Sequence, residues 1–339
     1  MTEKLKEKYL HLYETANQIS RFKPWDDFDE ADQFVYIGED ESNKLFFSFI
    51  SESAGKCGIA CYIGVEDYLR ARLRLTEKNI KNEPVFMLQN ALVCLWDNRP
   101  ELSEESCELI KELGFETREN GTWLHFDRYE IGYVPVPLDE NEVELLDDAF
   151  ENLHMMLRAI YEDKLDPEFD KGKTLVRQYD PKDKKYYTHP YELDMPIGAI
   201  LLNVATVHEN ALMRTIRSMP KANYSAELDW SYADIVFADE NDRKTFPKLL
   251  CSVDPKSGHI LHNELISPNF VCPEAVLNAL TDIIESYGKP SKILICDEEL
   301  KAILSDFCNK IDLELVVTEK LKALNNIRKE ILSYFEQLV

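Results

Sequence analysis

The sequence predicts two domains of different make. An α+β domain is expected over residues 1–163, and an α/β domain over 197–339 whose mixed sheet follows the order βββαβαβα. Three observations carry this. A helical period opens the chain, and three strand-like runs follow in close succession, "FVYIG", "KLFFSFIS" and "GIACYIG". Composition shifts across 164–196, where Pro, Lys and Asp gather in "KLDPEFDKGKTLVRQYDPKDKKYYTHPYELDMP", as in a linker. Farther on, "KILICD" is apolar without polar alternation and stands between two helical patterns, which is how a strand buried on both faces reads.

Taken in order, Leu5, Tyr9, Leu12, Tyr13, Ala16 and Ile19 repeat at helical spacing, so a helix is expected from about Thr2 to Ser20, ending before Pro24. The three strand-like runs are joined by the turn-like "EDESN" and "ESAGKC" and read as a meander. "VEDYLRARLRL" reads as a helix and "VFMLQNALVCLWD" as one or two strands. "SEESCELIKELG" carries acids in its first turn and Gly114 after its last, the start and stop signals of a helix. Asn120-Gly121 within "FETRENGTWLHF" signals a hairpin. Asp139 followed by Glu142 resembles a capping box, opening a long helix through Val143, Leu146, Phe150, Leu153, Leu157 and Ile160.

The linker-like stretch holds one strand candidate, "TLVRQY", and the locally basic residues Lys171, Lys173, Arg177, Lys182, Lys184 and Lys185. After it come an apolar run, "IGAILLNVA", and a helix at "HENALMRTIRSM". In the second domain "AELDWSYADIVF", "KTFPKLLCSVD" and "HILHNELIS" read as strands. "PEAVLNALTDIIESYG" has Pro273 at its start and Gly288 at its end, as a helix does. "KILICD" and "LELVVTE" are strands, with helices at "EELKAILSDFCNKI" and "LKALNNIRKEILSYFEQL".

The totals exclude several classes. With 39 Lys+Arg against 63 Asp+Glu the formal charge is −24, which opposes nucleic acid and anionic membrane and leaves protein or small-molecule partners. The eight Cys sit inside apolar runs, as reduced thiols of the cytosol do. The N-terminus lacks the apolar core of a signal peptide, and no run approaches a membrane span, so a cytoplasmic location is expected. Only 11 Gly are present, and neither a P-loop, a dinucleotide fingerprint nor a nucleophile elbow occurs.

Cys57 and Cys61 lie four residues apart, about 13 Å along a strand, too far to share an ion or a disulfide. His259 and His262 point to opposite faces if both lie on one strand. Trp25, Trp96, Trp123 and Trp230 read as core or rim residues, or else as a small-molecule pocket. The acids of the second domain are the most specific feature. Asp297 closes an apolar strand immediately before a helix, where a carboxylate caps orphan N–H groups and the following acids suit the helix dipole.

The order βββαβαβα resembles that of the RNase H-like fold, most nearly the catalytic core of integrases and transposases. In that family acids on the first strand, after the fourth strand and on the last helix hold two metal ions for phosphodiester chemistry. The resemblance implies Asp297 as the second acid, Asp229 or alternatively Asp234 as the first, and Glu330 as the third. Asp229 and Asp234 fall on opposite faces of one strand, so at most one serves. The sequence departs from the pattern in two ways. The Asn-Gly after the second acid is replaced by Glu298-Glu299, and between 226 and 339 only 12 Lys+Arg stand against 20 Asp+Glu.

The whole chain also resembles a bacterial, intracellular family made of two linked domains of unknown function. Its blocks are "ANQISRFKPWDDF", "ACYIGVEDYLR" and the run from "WDNRPELSEESC" to "ENEVELL" in the first domain, then "LLCSVDPKSGHIL" and "KPSKILICDEELKAIL" in the second. The resemblance implies no activity. The expectation is therefore a non-catalytic binding or interaction protein with a degenerate RNase H-like domain and no cofactor. The alternative is a metal-dependent nuclease or phosphoryl-transfer enzyme using Mg or Mn at Asp229, Asp297 and Glu330.

Overall fold

The computed structural model describes residues 2–29, 32–40, 42–51, 56–76, 84–98, 102, 104–115, 122–195, 207–208, 210–233, 235–239, 241–267 and 273–336. Two compact units emerge. The first takes in 1–80, 84–131 and 135–200, and the second 81–83, 132–134 and 201–339. Each is a mixed sheet with helices.

In the first unit, helix α1 (Glu3–Ile19) starts at Thr2, whose hydroxyl accepts the Leu5 N–H. It buries Tyr9, Leu12, Tyr13, Ala16 and Ile19, the stripe its spacing predicts. A short helix α2 (Pro24–Asp27) follows where Pro24 fits the first helical position. The meander forms as β1 (Phe34–Ile37), β2 (Lys44–Ile50) and β3 (Cys57–Ile63), all antiparallel. After α3 (Val65–Thr76), residues Val85–Leu88 make a 3₁₀ turn rather than a strand. The strand is β4 (Ala91–Asn98). Helix α4 (Glu104–Leu113) leads to β5 (Thr122–Tyr129), which pairs with β4, and β6 (Val136–Pro137) completes that side. Most of the first arm of the hairpin expected around Asn120-Gly121 lies outside the described residues.

Helix α5 (Glu140–Tyr161) has the full capping box: Asp139 accepts the Glu142 N–H, and the Glu142 carboxylate accepts the Asp139 N–H. It packs Val143, Leu146, Phe150, Leu153 and Leu157 with α1 into the main core, which also holds Trp25 and Trp96.

The stretch 164–196, expected as a linker, instead supplies two strands. β7 (Thr174–Asp180) lies parallel to β1, and β8 (Lys185–Tyr191) pairs antiparallel with β7. The eight strands run β6-β5-β4-β3-β2-β1-β7-β8. Thr174, Leu175 and Val176 are buried in this sheet, so the Lys- and Pro-rich composition marks an edge hairpin, where charges and Pro protect an exposed backbone.

In the second unit, helix α6 (Ala211–Ser218) is capped by Asn210. The apolar run "IGAILLNVA" lies outside the described residues. Strand β9 (Ala226–Tyr232) is buried throughout. A small pair, β10 (Phe237–Ala238) and β11 (Lys244–Thr245), precedes β12 (Lys248–Val253) and β13 (Ile260–Ile266). Then α7 (Pro273–Tyr287), β14 (Lys292–Ile295), α8 (Glu298–Lys310), β15 (Glu314–Val317) and α9 (Lys322–Glu336) alternate. The five-stranded sheet runs β13-β12-β9-β14-β15. β12 is antiparallel to β9 and β13, while β14 is parallel to β9 and β15. One face packs on α6, α7 and α8, and the other on α9.

Candidate functional site

Two of the acids singled out in the sequence, Asp229 and Asp297, fall on or beside the central strands of the second sheet. Period-two alternation along β9 puts Glu227, Asp229 and Ser231 on one face and Leu228, Trp230 and Tyr232 on the other. Of the second set, Leu228 and Trp230 belong to the cluster under α7 and α8. The first set faces Leu249, Cys251 and Val253 of β12, its register partners, and helix α9.

Asp229 is 1% exposed, and its carboxylate meets the Arg328 guanidinium of α9 at 2.7 Å. Two residues earlier, the Glu227 carboxylate accepts the Leu324 N–H at 2.7 Å. That amide lies in the first turn of α9, where no intrahelical acceptor is available. Glu227 thus caps a helix from a neighbouring strand. Arg328 Nε and Ser231 Oγ are buried without a partner among the described residues. Burial holds the Cys251 thiol, opposite Asp229 in the register, up at about 11, so it stays protonated.

Asp297 does the work of an N-cap for α8. Its Oδ1 accepts the N–H groups of Glu299 at 2.7 Å and Leu300 at 3.1 Å. Its Oδ2 accepts the indole N–H of Trp230 at 3.1 Å. Asp297 is therefore tied to the Trp230 face, and Asp229 to the opposite face. Glu330 is an exposed residue of α9. Asp234 lies outside the described residues. Among the described residues, no three His, Cys, Asp or Glu side chains gather as a metal ion would require.

On the Trp230 face the local cation is the chain's own. Lys248 of β12 is 6% exposed, and its Nζ lies 4.3 Å from the centre of a Trp230 ring and 5.0 Å from that of Tyr232. Such placement over aromatic faces stabilises a desolvated ammonium.

Cys57 and Cys61 both lie on β3 and are not joined by a disulfide, the second of them fully buried. His259 precedes β13, while His262 lies on it beside Glu264, 3.4 Å away. Trp25 and Trp96 stack obliquely in the core with ring centres 5.1 Å apart, and Trp123 packs half-buried against the same core.

Sequence reasoning missed Glu227, Arg328 and Lys248. A signal existed for the first two. "AELDWSY" alternates acids with apolar residues inside a run otherwise suited to a core strand. Arg328 occupies the apolar stripe Leu324–Arg328–Ile331, where a cation requires a buried partner.

Residues 9–177 match a family model described as a domain of unknown function (DUF7309). Residues 212–332 match another, also described as a domain of unknown function (DUF6930). The chain carries two domains of unknown function. A comparison with curated proteins gave no match. The DUF7309 match runs into β7, and the DUF6930 match spans the whole five-stranded sheet with α7 and α8.

Proposed function

We propose that this is a non-catalytic binding or interaction protein of the bacterial cytoplasm, whose second domain is a degenerate RNase H-like fold. The run β9, β12, β13, α7, β14, α8, β15, α9 follows the order βββαβαβα and supports the fold reading. One observation carries the functional reading. The two acids that a metal-dependent relative would aim at a shared ion, Asp229 and Asp297, are each engaged structurally on different faces. A guanidinium already pairs with Asp229, and two helix amides and an indole donate to Asp297. The rival reading, a nuclease using Mg or Mn at Asp229 or Asp234, Asp297 and Glu330, needs those contacts to give way. A small-molecule pocket built on Trp25, Trp96 or Trp123 has little to draw on, because the first two belong to the core.

Mn²⁺ titration of the intact protein, followed calorimetrically and by the EPR signal of the free ion, tests the proposal. The expected result is no site tighter than about 1 mM. Micromolar Mn²⁺ binding that is lost in both Asp229→Asn and Asp297→Asn overturns it in favour of the enzyme.

A further inference from the structure

The β7–β8 hairpin carries a charge opposite to that of the chain around it. Between Lys171 and Tyr191 six basic residues stand against two acidic ones, in a protein of net charge −24. The structure sorts the six. Lys171 and Lys173 both hold Glu168, whose carboxyl is lowered to about 2 by their hydrogen bonds. Arg177 is half-buried, donating to Asn152 at 2.7 Å and Thr188 at 3.1 Å. That leaves Lys182, Lys184 and Lys185 at the hairpin tip, all exposed and without a side-chain partner among the described residues.

The strand that leaves this tip is the last in the sheet order, with no strand beyond it among those described. Alternation places Lys185, Tyr187, His189 and Tyr191 on one face of β8. Tyr187 is 45% exposed and Tyr191 52%, among the largest exposures of apolar side chains in the protein. The Tyr187 hydroxyl donates to Asp183 at 2.8 Å, which fixes that ring beside the lysines. His189 and Tyr191 meet edge to face with centres 6.1 Å apart. Pro190 has no N–H to offer a further strand, which leaves the side chains of this face to supply its chemistry.

We infer that this hairpin docks an acidic peptide segment of another protein, one carrying apolar residues between its carboxylates. The inference rests on the reading of the chain as a binding protein and names its partner's chemistry. Charge complementarity selects an anionic occupant, and the row of rings selects one with apolar groups at alternate positions. Range favours a peptide over a nucleic acid. A short segment keeps its charges within about 10 Å of the three lysines, whereas a long polyanion also meets the field of the remaining acidic surface.

The test is fluorescence anisotropy with a labelled 15-residue peptide alternating Glu with Leu and Phe, on the intact protein at about 50 mM salt. Saturable binding is expected. It should weaken at least tenfold in Lys182→Glu/Lys184→Glu/Lys185→Glu and at about 200 mM salt. Tyr187→Ala/Tyr191→Ala should weaken it while keeping the salt dependence. Unchanged melting curves exclude unfolding of these surface variants. No binding, equal binding by the charge-reversed variant, or tighter binding of oligouridylate at the same lysines overturns the inference. Each of these leaves the Mn²⁺ result, and hence the non-catalytic reading, untouched. Micromolar Mn²⁺ binding would in turn leave the hairpin result standing.

Discussion

At the scale of the residue, Arg328 decides more than any acid does. A cation is required opposite a carboxylate that is 1% exposed, and α9 supplies it as a guanidinium. Buried pairs are poor sources of net stability, but losing one partner strands the other. Arg328→Met should therefore lower the unfolding free energy by about 3–5 kcal/mol in urea titration. Arg328→Met combined with Asp229→Leu should recover most of it, since neither charge is then left in the interior. A double variant as unstable as the sum of its singles would mean the two residues are not coupled. Asp297 was legible as a cap because its position, between an apolar strand and a helix whose first turn is acidic, obeys local rules. Its bond to Trp230 was not, because the two are 67 positions apart and no periodicity links them.

At the scale of the element, most of the molecule was readable. Helices α1, α5 and α8 follow from period and caps, α9 from period alone, and the meander from alternation and turns. The failures have physical reasons. Of the one or two strands expected in "VFMLQNALVCLWD" one forms, and Val85–Leu88 instead turns behind Pro84, the Met87 N–H donating to the Pro84 carbonyl at 2.9 Å. The β7–β8 hairpin looked like a linker because edge strands are polar and Pro-bearing by necessity. Within the sheet, Gly58 marks a close approach of β3 to β4. A Cβ there would lie 2.3 Å from the Cys94 carbonyl oxygen, and backbone cannot yield as a side-chain tip can. Gly58→Ala should cost at least about 1–3 kcal/mol by chemical denaturation, and an unchanged midpoint would refute the packing.

Between α1 and α5, His11 bonds Asp147 at 2.7 Å and lies 3.3 Å from Glu151. The hydrogen bond to Asp147 raises its pKa against a smaller opposing effect of burial, with Glu151 and Glu14 adding to the rise. Protonation is thus favoured in the folded state. The associated stability is complete below the unfolded value of about 6.5 and fades as pH rises through the raised folded value. The site is well exposed, so the effect should stay below about 1 kcal/mol. Comparing the pH dependence of urea midpoints for His11→Gln with that of the parent isolates it. A parent–variant difference that grows with pH would reverse the sign.

At the scale of the whole molecule, each unit has its own sheet and its own cores, and the acidity is general rather than local. Charge and composition could therefore set classes aside without selecting one. A docking surface is made of ordinary exposed residues whose meaning depends on which strand stands last in a sheet. One contact bears on how the second unit comes together. Leu324, in the opening turn of α9, is capped by a carboxylate 97 positions earlier, and the position just before the helix is held by Leu321, which has no side-chain acceptor. A helix without a local cap starts poorly by itself. Its nucleus is completed only when β9 is in place, so α9 should fold by templating on a sheet already assembled. Its arrival closes the unit by covering two carboxylates that would otherwise keep that face of the sheet open to water.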